Sequence, residues 1–256
     1  MALKIRYNRM ACLLVVLLLP VLAFAADSAK FEQGNGLYAK GNYKGAIGAY
    51  NSLLKDGYTS EALYYNLGNA HYKNGDNTEA VYYFEKAHKL SPGDEDVNIN
   101  LQFARLKTAD KLDQPTQFFL TRWWQGLMLG FSLKGLAIFS IVCFLLASGA
   151  LISYLYAVSV GVKKGSFYGA IVLFAIGVFS IVLASSQSDY FNNNREAVIF
   201  TASVTVKSAP SNAAKNLFVL HDGTKVSITG RNAGWTKIKL PNGTEGWIIS
   251  TDAREI

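Results

Sequence analysis

The sequence predicts a multidomain membrane protein: all-α repeat hairpins, then two transmembrane helices, then a small all-β barrel. Three observations predict it. Half of the 256 residues are hydrophobic and only 17% are charged, and the apolar residues gather in stretches at 10–25, 135–156 and 167–185. Between the first and second stretches, glycine, alanine and aromatic positions recur at a period of 34 residues. Beyond the third, short alternating segments are parted by glycine turns. This distribution excludes a plain cytosolic globular enzyme. The formal charge of +7 falls to +4 once Lys4, Arg6 and Arg9 are set aside with the first apolar unit, too little to imply a nucleic-acid partner.

Residues 1–25 have the three parts of a secretory signal peptide: the basic start Lys4, Arg6 and Arg9, an apolar centre from Met10 to Leu22, and the small-residue pattern Ala23-Phe24-Ala25. Cleavage after Ala25 is expected, and an uncleaved anchor would leave the following segment on the same side of the membrane. Cys12 precedes most of the apolar centre, which argues against lipoprotein processing. After cleavage Cys143 is the one remaining cysteine, so no intrachain disulfide or thiolate metal site is expected. Cys143 reads as a small buried hydrophobe.

Residues 26–113 carry the repeat. Gly34-Asn35, Tyr38, Gly41, Ala46 and Tyr50 recur as Gly68-Asn69, Tyr72, Gly75, Ala80 and Phe84. Gly34 and Gly68 fall where two helices of a hairpin cross closely, Ala46 and Ala80 admit the neighbouring helix, and Tyr50 and Phe84 fill the space between layers. Gly41 and Gly75 open the turns. After Pro92 a further helix presents Val97, Leu101, Ala104 and Leu112 as a one-sided stripe able to cap the open end. Period and residue types resemble the tetratricopeptide repeat. In the second copy Tyr64, Leu67, Gly68, Ala80, Phe84, Ala87 and Pro92 occupy consensus places, with His71 where the family usually has Tyr; the first copy lacks the closing Pro. Two repeats plus a cap make a short array, so completion against another protein is expected.

Helical spacing places Phe31, Asn35 and Tyr38 on one side of the first helix and Tyr65, Asn69 and Tyr72 on the matching side of the third. Asn offers a donor and an acceptor to an extended peptide backbone, and Tyr adds apolar area with a polar tip. These six residues are the candidate partner-binding face; the competing reading is ordinary inter-helix packing of the tyrosines. Some tetratricopeptide proteins bind C-terminal carboxylates through Lys and Arg on this face. Phe31 and Asp96 stand at two of those basic places, so the resemblance does not extend to that activity.

Residues 114–134 form an interfacial linker, with a hinge at Gln114-Pro115 and an aromatic cluster of Phe118, Phe119, Trp123 and Trp124 beside Arg122. Residues 135–185 are expected as a two-helix transmembrane hairpin joined by a short loop holding Lys163 and Lys164. Neither span contains Asp, Glu or His, so a proton or ion pathway has nothing to work with. Gly149, Gly169, Gly177, Ser140, Ser148 and Ser180 are small residues expected to bring helices close. An exported N-terminus and two crossings put both flanking domains in the periplasm of a bacterial inner-membrane protein.

Residues 195–256 alternate over 197–200, 204–206, 217–220, 225–228, 236–240 and 247–249, with Asp222-Gly223 and Asn242-Gly243 turns, which predicts six strands in a small barrel. The run Val204 to Ser211, then His221 to Val226, Gly234-Trp235 and Gly246-Trp247-Ile248 resembles a bacterial SH3-like domain. Trp247 and Ile248 are expected in the core and Trp235 at the core or rim, where it is a further candidate for partner contact. Bacterial relatives often bind cell-wall peptides, which makes peptidoglycan a possible ligand.

His71, His88 and His221 lack a paired nucleophile or metal-ligand spacing and read as solvated or structural. No phosphate-binding loop, cofactor site or metal site is expected, and no catalytic activity. The domain order as a whole resembles the BatE-like family of the Bacteroides aerotolerance operon, which implies a subunit of a Bat-type complex linked to aerotolerance or envelope stress. Two functions are therefore expected: a membrane-anchored scaffold for other membrane or periplasmic proteins, or an envelope sensor that reads peptidoglycan through the SH3-like domain.

Overall fold

The computed structural model describes residues 29–110 and 118–256; the signal peptide, Leu112 and the Gln114-Pro115 hinge lie outside the described residues. The repeat segment forms five helices, α1 (29–39), α2 (Tyr43–Lys55), α3 (Glu61–Asn74), α4 (Asn77–Leu90) and α5 (Glu95–Leu106). Their ends follow from local chemistry. Asn42, Ser60 and Asp94 accept hydrogen bonds from the backbone N–H groups of Gly45, Leu63 and Val97, filling donors that each first turn leaves open. Gly75 closes α3 at φ 90°, where a Cβ would be strained.

Hairpin packing rests on the two glycine crossings. A Cβ on Gly34 would run into the Tyr50 ring, and one on Gly68 would sit 2.5 Å from the Phe84 ring. Tyr50, Phe84, Ala46 and Ala80 are all buried, as the period predicted. Val97, Leu101 and Ala104 of α5 are buried too.

Three further helices follow: α6 (Phe119–Leu129), α7 (Leu133–Tyr156) and α8 (Val160–Asn193). α7 and α8 are long and apolar enough to cross a membrane, about 36 Å and about 51 Å at ~1.5 Å per residue. Two expectations are corrected here. The segment expected as a linker contains a helix, α6, ended before α7 by Ser132, whose extended backbone and side-chain bond to Gly135 N start the next helix. Lys163 and Lys164 lie in the first turns of α8 instead of in a loop, and the break between the two long helices is 157–159. Of the small residues, Gly177 meets the Phe144 ring and Ser180 Oγ donates to Leu136 O at 2.9 Å, while Gly149 and Gly169 face open space.

After α8 only Asn194 and Arg195 precede the first strand. The C-terminal segment is one antiparallel sheet of seven strands, β1 (Glu196–Ile199), β2 (Ser203–Lys207), β3 (Asn216–His221), β4 (Lys225–Asn232), β5 (Trp235–Lys239), β6 (Glu245–Ile249) and β7 (Ala253–Glu255), in the order β3-β2-β6-β5-β4-β1-β7. β7, three residues long, is one strand more than the alternation predicted. Val204, Val206, Leu220, Val226, Ile238 and Ile248 form its core, whereas Trp247 is only half-buried. The β4–β5 hairpin turns on Ala233 (φ 43°) and Gly234 (φ 85°), both left-handed, as a two-residue turn of this hand requires.

Candidate interaction surfaces

The sheet domain docks against the second hairpin and α5. Val198, Phe200 and Ile256 join Ala80, Val81, Phe84, Leu101 and Ala104 in one apolar cluster. The end of the array, expected to be capped by α5 alone or by another protein, is thus covered in part by the chain's own C-terminal segment. Polar contacts ring this cluster. Arg254 clamps Glu79 with two bonds of 2.7 and 3.2 Å and lies 3.6 Å over the Phe200 ring. Lys89 Nζ donates to Ile256 O at 2.8 Å, and Thr78 bonds Asp222.

Two carboxylates organise the junction. Asp110 accepts from the His221 backbone N–H at 2.7 Å and from Thr224 Oγ1 at 2.7 Å, and lies 2.9 Å from His221 Nδ1. Burial pushes this carboxyl up, but those hydrogen bonds outweigh it and hold it below its ordinary value. Glu85 of α4 is fully buried between Arg105 of α5 and Lys225 of β4, the latter at 3.0 Å. Burial opposes its charge, yet Lys225 and then Arg105 hold it down to about 2. Lys225 is raised in turn: burial lowers it, but Glu85 and Glu196, 2.7 Å away, prevail. His221, expected as a lone turn histidine, belongs to this junction. His88 lies 2.7 Å from Asn98 Oδ1, and burial lowers its pKa.

The candidate face on α1, α3 and α5 has a more specific build than helical spacing gave. Asn35 Oδ1 accepts from Tyr50 OH at 2.8 Å and from Asn66 Nδ2 at 2.9 Å. One period on, Asn69 Oδ1 accepts from Asn100 Nδ2 at 3.0 Å, and Asn100 also donates to Tyr65 OH at 2.9 Å. Burial pushes Tyr50 up to about 12, so its hydroxyl stays a donor at neutral pH. The carbonyl oxygens of Asn35 and Asn69 are therefore tied between successive helices. Asn66 and Asn100, the other rungs of this ladder, were missed although they too stand one 34-residue period apart; each pairs with an Asn 31 residues earlier on the preceding odd-numbered helix.

The remaining candidates are distributed around that ladder. Phe31 packs on Tyr50 with ring centroids 5.8 Å apart, and Tyr38 on Tyr43 at 5.4 Å. Tyr65 lies 6.0 Å from Phe84, and Lys107 sits 4.3 Å over the Tyr72 ring. Phe31, Tyr38, Tyr65 and Tyr72 are all half-buried. Trp235 begins β5 opposite Ile249, half-buried and remote in sequence from the array. Among the described residues no three His, Cys, Asp or Glu side chains cluster to hold a metal.

The fold and these surfaces describe a chain that joins a helical repeat array to a small β domain through two long apolar helices. The family model of the tetratricopeptide repeat matches residues 31–95, and that of the bacterial SH3 domain matches residues 202–252. No curated protein matches the chain. A crystal structure of an NlpC/P60 family protein from Bacillus cereus is similar at 17% identity over 28% of this chain, with a TM-score of 0.22. The match spans 23% of that structure. The two family matches support the domain composition: a repeat segment that suggests protein–protein interaction and a bacterial SH3 segment that suggests cell-wall binding.

Proposed function

We propose that the chain is a membrane-anchored scaffold that works by binding, with both soluble segments in the periplasm and the α1–α3–α5 face of the repeats receiving an extended segment of another protein. The observation that carries this reading is the disposition of the array. The sheet domain is held chiefly by Glu79, Glu85 and Lys89 of α4, while the asparagine ladder links α1, α3 and α5 with half-buried Tyr38, Tyr65 and Tyr72 beside it, the last two also packed against the cluster shared with the sheet domain. A ladder that fixes each Asn carbonyl also fixes the orientation of its NH2 donor, and preorganised donors lower the entropic cost of gripping a peptide backbone. The domain order agrees with a subunit of a Bat-type complex linked to aerotolerance or envelope stress.

A second reading, peptidoglycan recognition by the sheet domain, is favoured by the bacterial SH3 match at 202–252. Against it stands the geometry of attachment. Two residues separate α8 from β1, and the docked face is held by Glu85, Asp110 and Glu79, so the domain has little reach.

The two readings separate on one preparation. Full-length Tyr38→Ala/Tyr72→Ala, isolated from native membranes, should lose co-purifying proteins while its helical circular dichroism is kept and its sedimentation with wall sacculi matches that of the parent. Retention of every co-purifying protein, with sedimentation abolished by Trp235→Ala, overturns the scaffold reading.

A further inference from the structure

The helix α6 is exposed over its first turns, 119–123, and buried at Met128 near its end. Met128, on one side, is 3% exposed, and Gln187 of α8 donates to the carbonyls of Met128 and Phe131 at 3.1 and 2.8 Å. Phe119 and Trp123 stand on the opposite side of the helix and Leu120 about a quarter turn from Met128; all three are exposed, Trp123 at 64%, as is Phe118 at the N-cap. A soluble protein rarely leaves aromatic residues of this size side by side without a partner.

Three features identify what covers this face. Gln187 stands two residues beyond the apolar run of α8 that ends at Ser185, so its bonds fix the α6–α7 turn at the level where α8 leaves that run. Ser132 breaks the helical path, so α6 is not an upward continuation of α7. The outward apolar surface continues down the chain into Leu133, Ile138 and Phe139 of α7, also exposed, with Arg122 and the tryptophan at the boundary. Tryptophan and arginine at the edge of an apolar span is the composition of a lipid–water interface, and an amphipathic helix with aromatic residues on its apolar side lies in that plane.

We propose that α6 is an interfacial helix whose Phe119, Leu120 and Trp123 sit in the headgroup and acyl boundary of the leaflet facing the repeats. The inference rests on reading α7 and α8 as membrane spans. It goes beyond that reading by seating the repeat array. Gly93, in the loop before α5, has no room for a side chain because a Cβ would meet the carbonyl of Gly130 at the end of α6. The array therefore stands directly on a helix held by lipid, and the segment it binds is one that runs close to the membrane surface.

Spin labels at Phe119→Cys, Trp123→Cys, Thr121→Cys and Leu146→Cys test this in the full chain reconstituted in phosphatidylethanolamine–phosphatidylglycerol vesicles, with Cys12 and Cys143 replaced by alanine. Collision with oxygen should exceed collision with a water-soluble nickel chelate at 119 and 123, and the order should reverse at Thr121, which is exposed and lies on the side of the helix away from Phe119 and Trp123. Nickel-favoured labels at 119 and 123 overturn the proposal, because the face then meets water. Labels at 119 and 123 that are immobile and shielded from both reagents also overturn it, because protein then covers the face. Leu146, exposed midway along α7, reports separately on the spans: an oxygen-favoured label there with a nickel-favoured α6 refutes only the interfacial helix, whereas a nickel-favoured Leu146 refutes the two-span reading itself.

Discussion

Replacing Glu85 with glutamine keeps the shape of the side chain and removes its charge, isolating the ionic part of the contact between repeats and sheet domain. The parent carboxylate is 1% exposed and is met by Lys225 from one side and Arg105 from the other. Its drop from an ordinary 4.5 to about 2 corresponds to about 3 kcal/mol of stabilisation at ~1.36 kcal/mol per unit. The folded value lies below the unfolded one, so this contribution is complete above about pH 4.5 and is lost as the pH falls toward 2. In hydrogen-exchange mass spectrometry of the full chain in detergent, amides of α4 and β4 in Glu85→Gln should exchange about a hundredfold faster than the parent's at pH 7. At pH 3 roughly half of the contribution or less remains, and the ratio should shrink to about tenfold. A ratio near unity at pH 7, or one that does not change between pH 7 and pH 3, refutes the reasoning.

Three further outcomes follow from the geometry. Gly68→Ala should lower the stability of the repeats by about 1–3 kcal/mol through the clash with Phe84, and adding Phe84→Leu should recover part of it in thermal circular dichroism. Asn35→Ala removes the acceptor of both Tyr50 OH and Asn66 Nδ2 and should cost about 1–3 kcal/mol in the same assay, whereas an exposed amide would cost almost nothing. Ala233→Asn should stabilise the sheet domain by about 1 kcal/mol, because Asn tolerates the left-handed backbone at φ 43° better than Ala; amide exchange across β4 and β5 should slow accordingly.

The repeats were legible because their determinants are local and periodic: Gly34 with Tyr50 and Gly68 with Phe84 sit at fixed offsets, and each pair meets within one hairpin. The long apolar helices were legible from composition, although Lys163 and Lys164 read as loop when α8 carries them in its exposed opening turns. The junction was not legible. Glu85 has the sequence context of an ordinary helix-surface charge, and nothing short of the fold brings Lys225, 140 positions away, against it. The same holds for Asp110 and His221, separated by 111 positions. Asn66 and Asn100 keep the 34-residue period, but they escaped because the period alone does not show that each faces an Asn 31 residues earlier. The β4–β5 turn was missed because Ala233 gives no sign of a left-handed backbone, whereas Asp222-Gly223 and Asn242-Gly243 announce their turns. Asn35 and Asn69 read from the sequence as grips for a peptide backbone, and the fold adds that their carbonyl oxygens are tied to Tyr50, Asn66 and Asn100.

The central claim is that partners meet the α1–α3–α5 face of a membrane-seated array. Photocrosslinking from native membranes tests it most directly, with a benzophenone amino acid placed in turn at Tyr38, Tyr72 and Trp235 of the full chain. The account predicts discrete protein adducts from Tyr38 and Tyr72 and none of the same mass from Trp235. Adducts confined to Trp235, or wall fragments captured there while Tyr38 and Tyr72 stay silent, would contradict it.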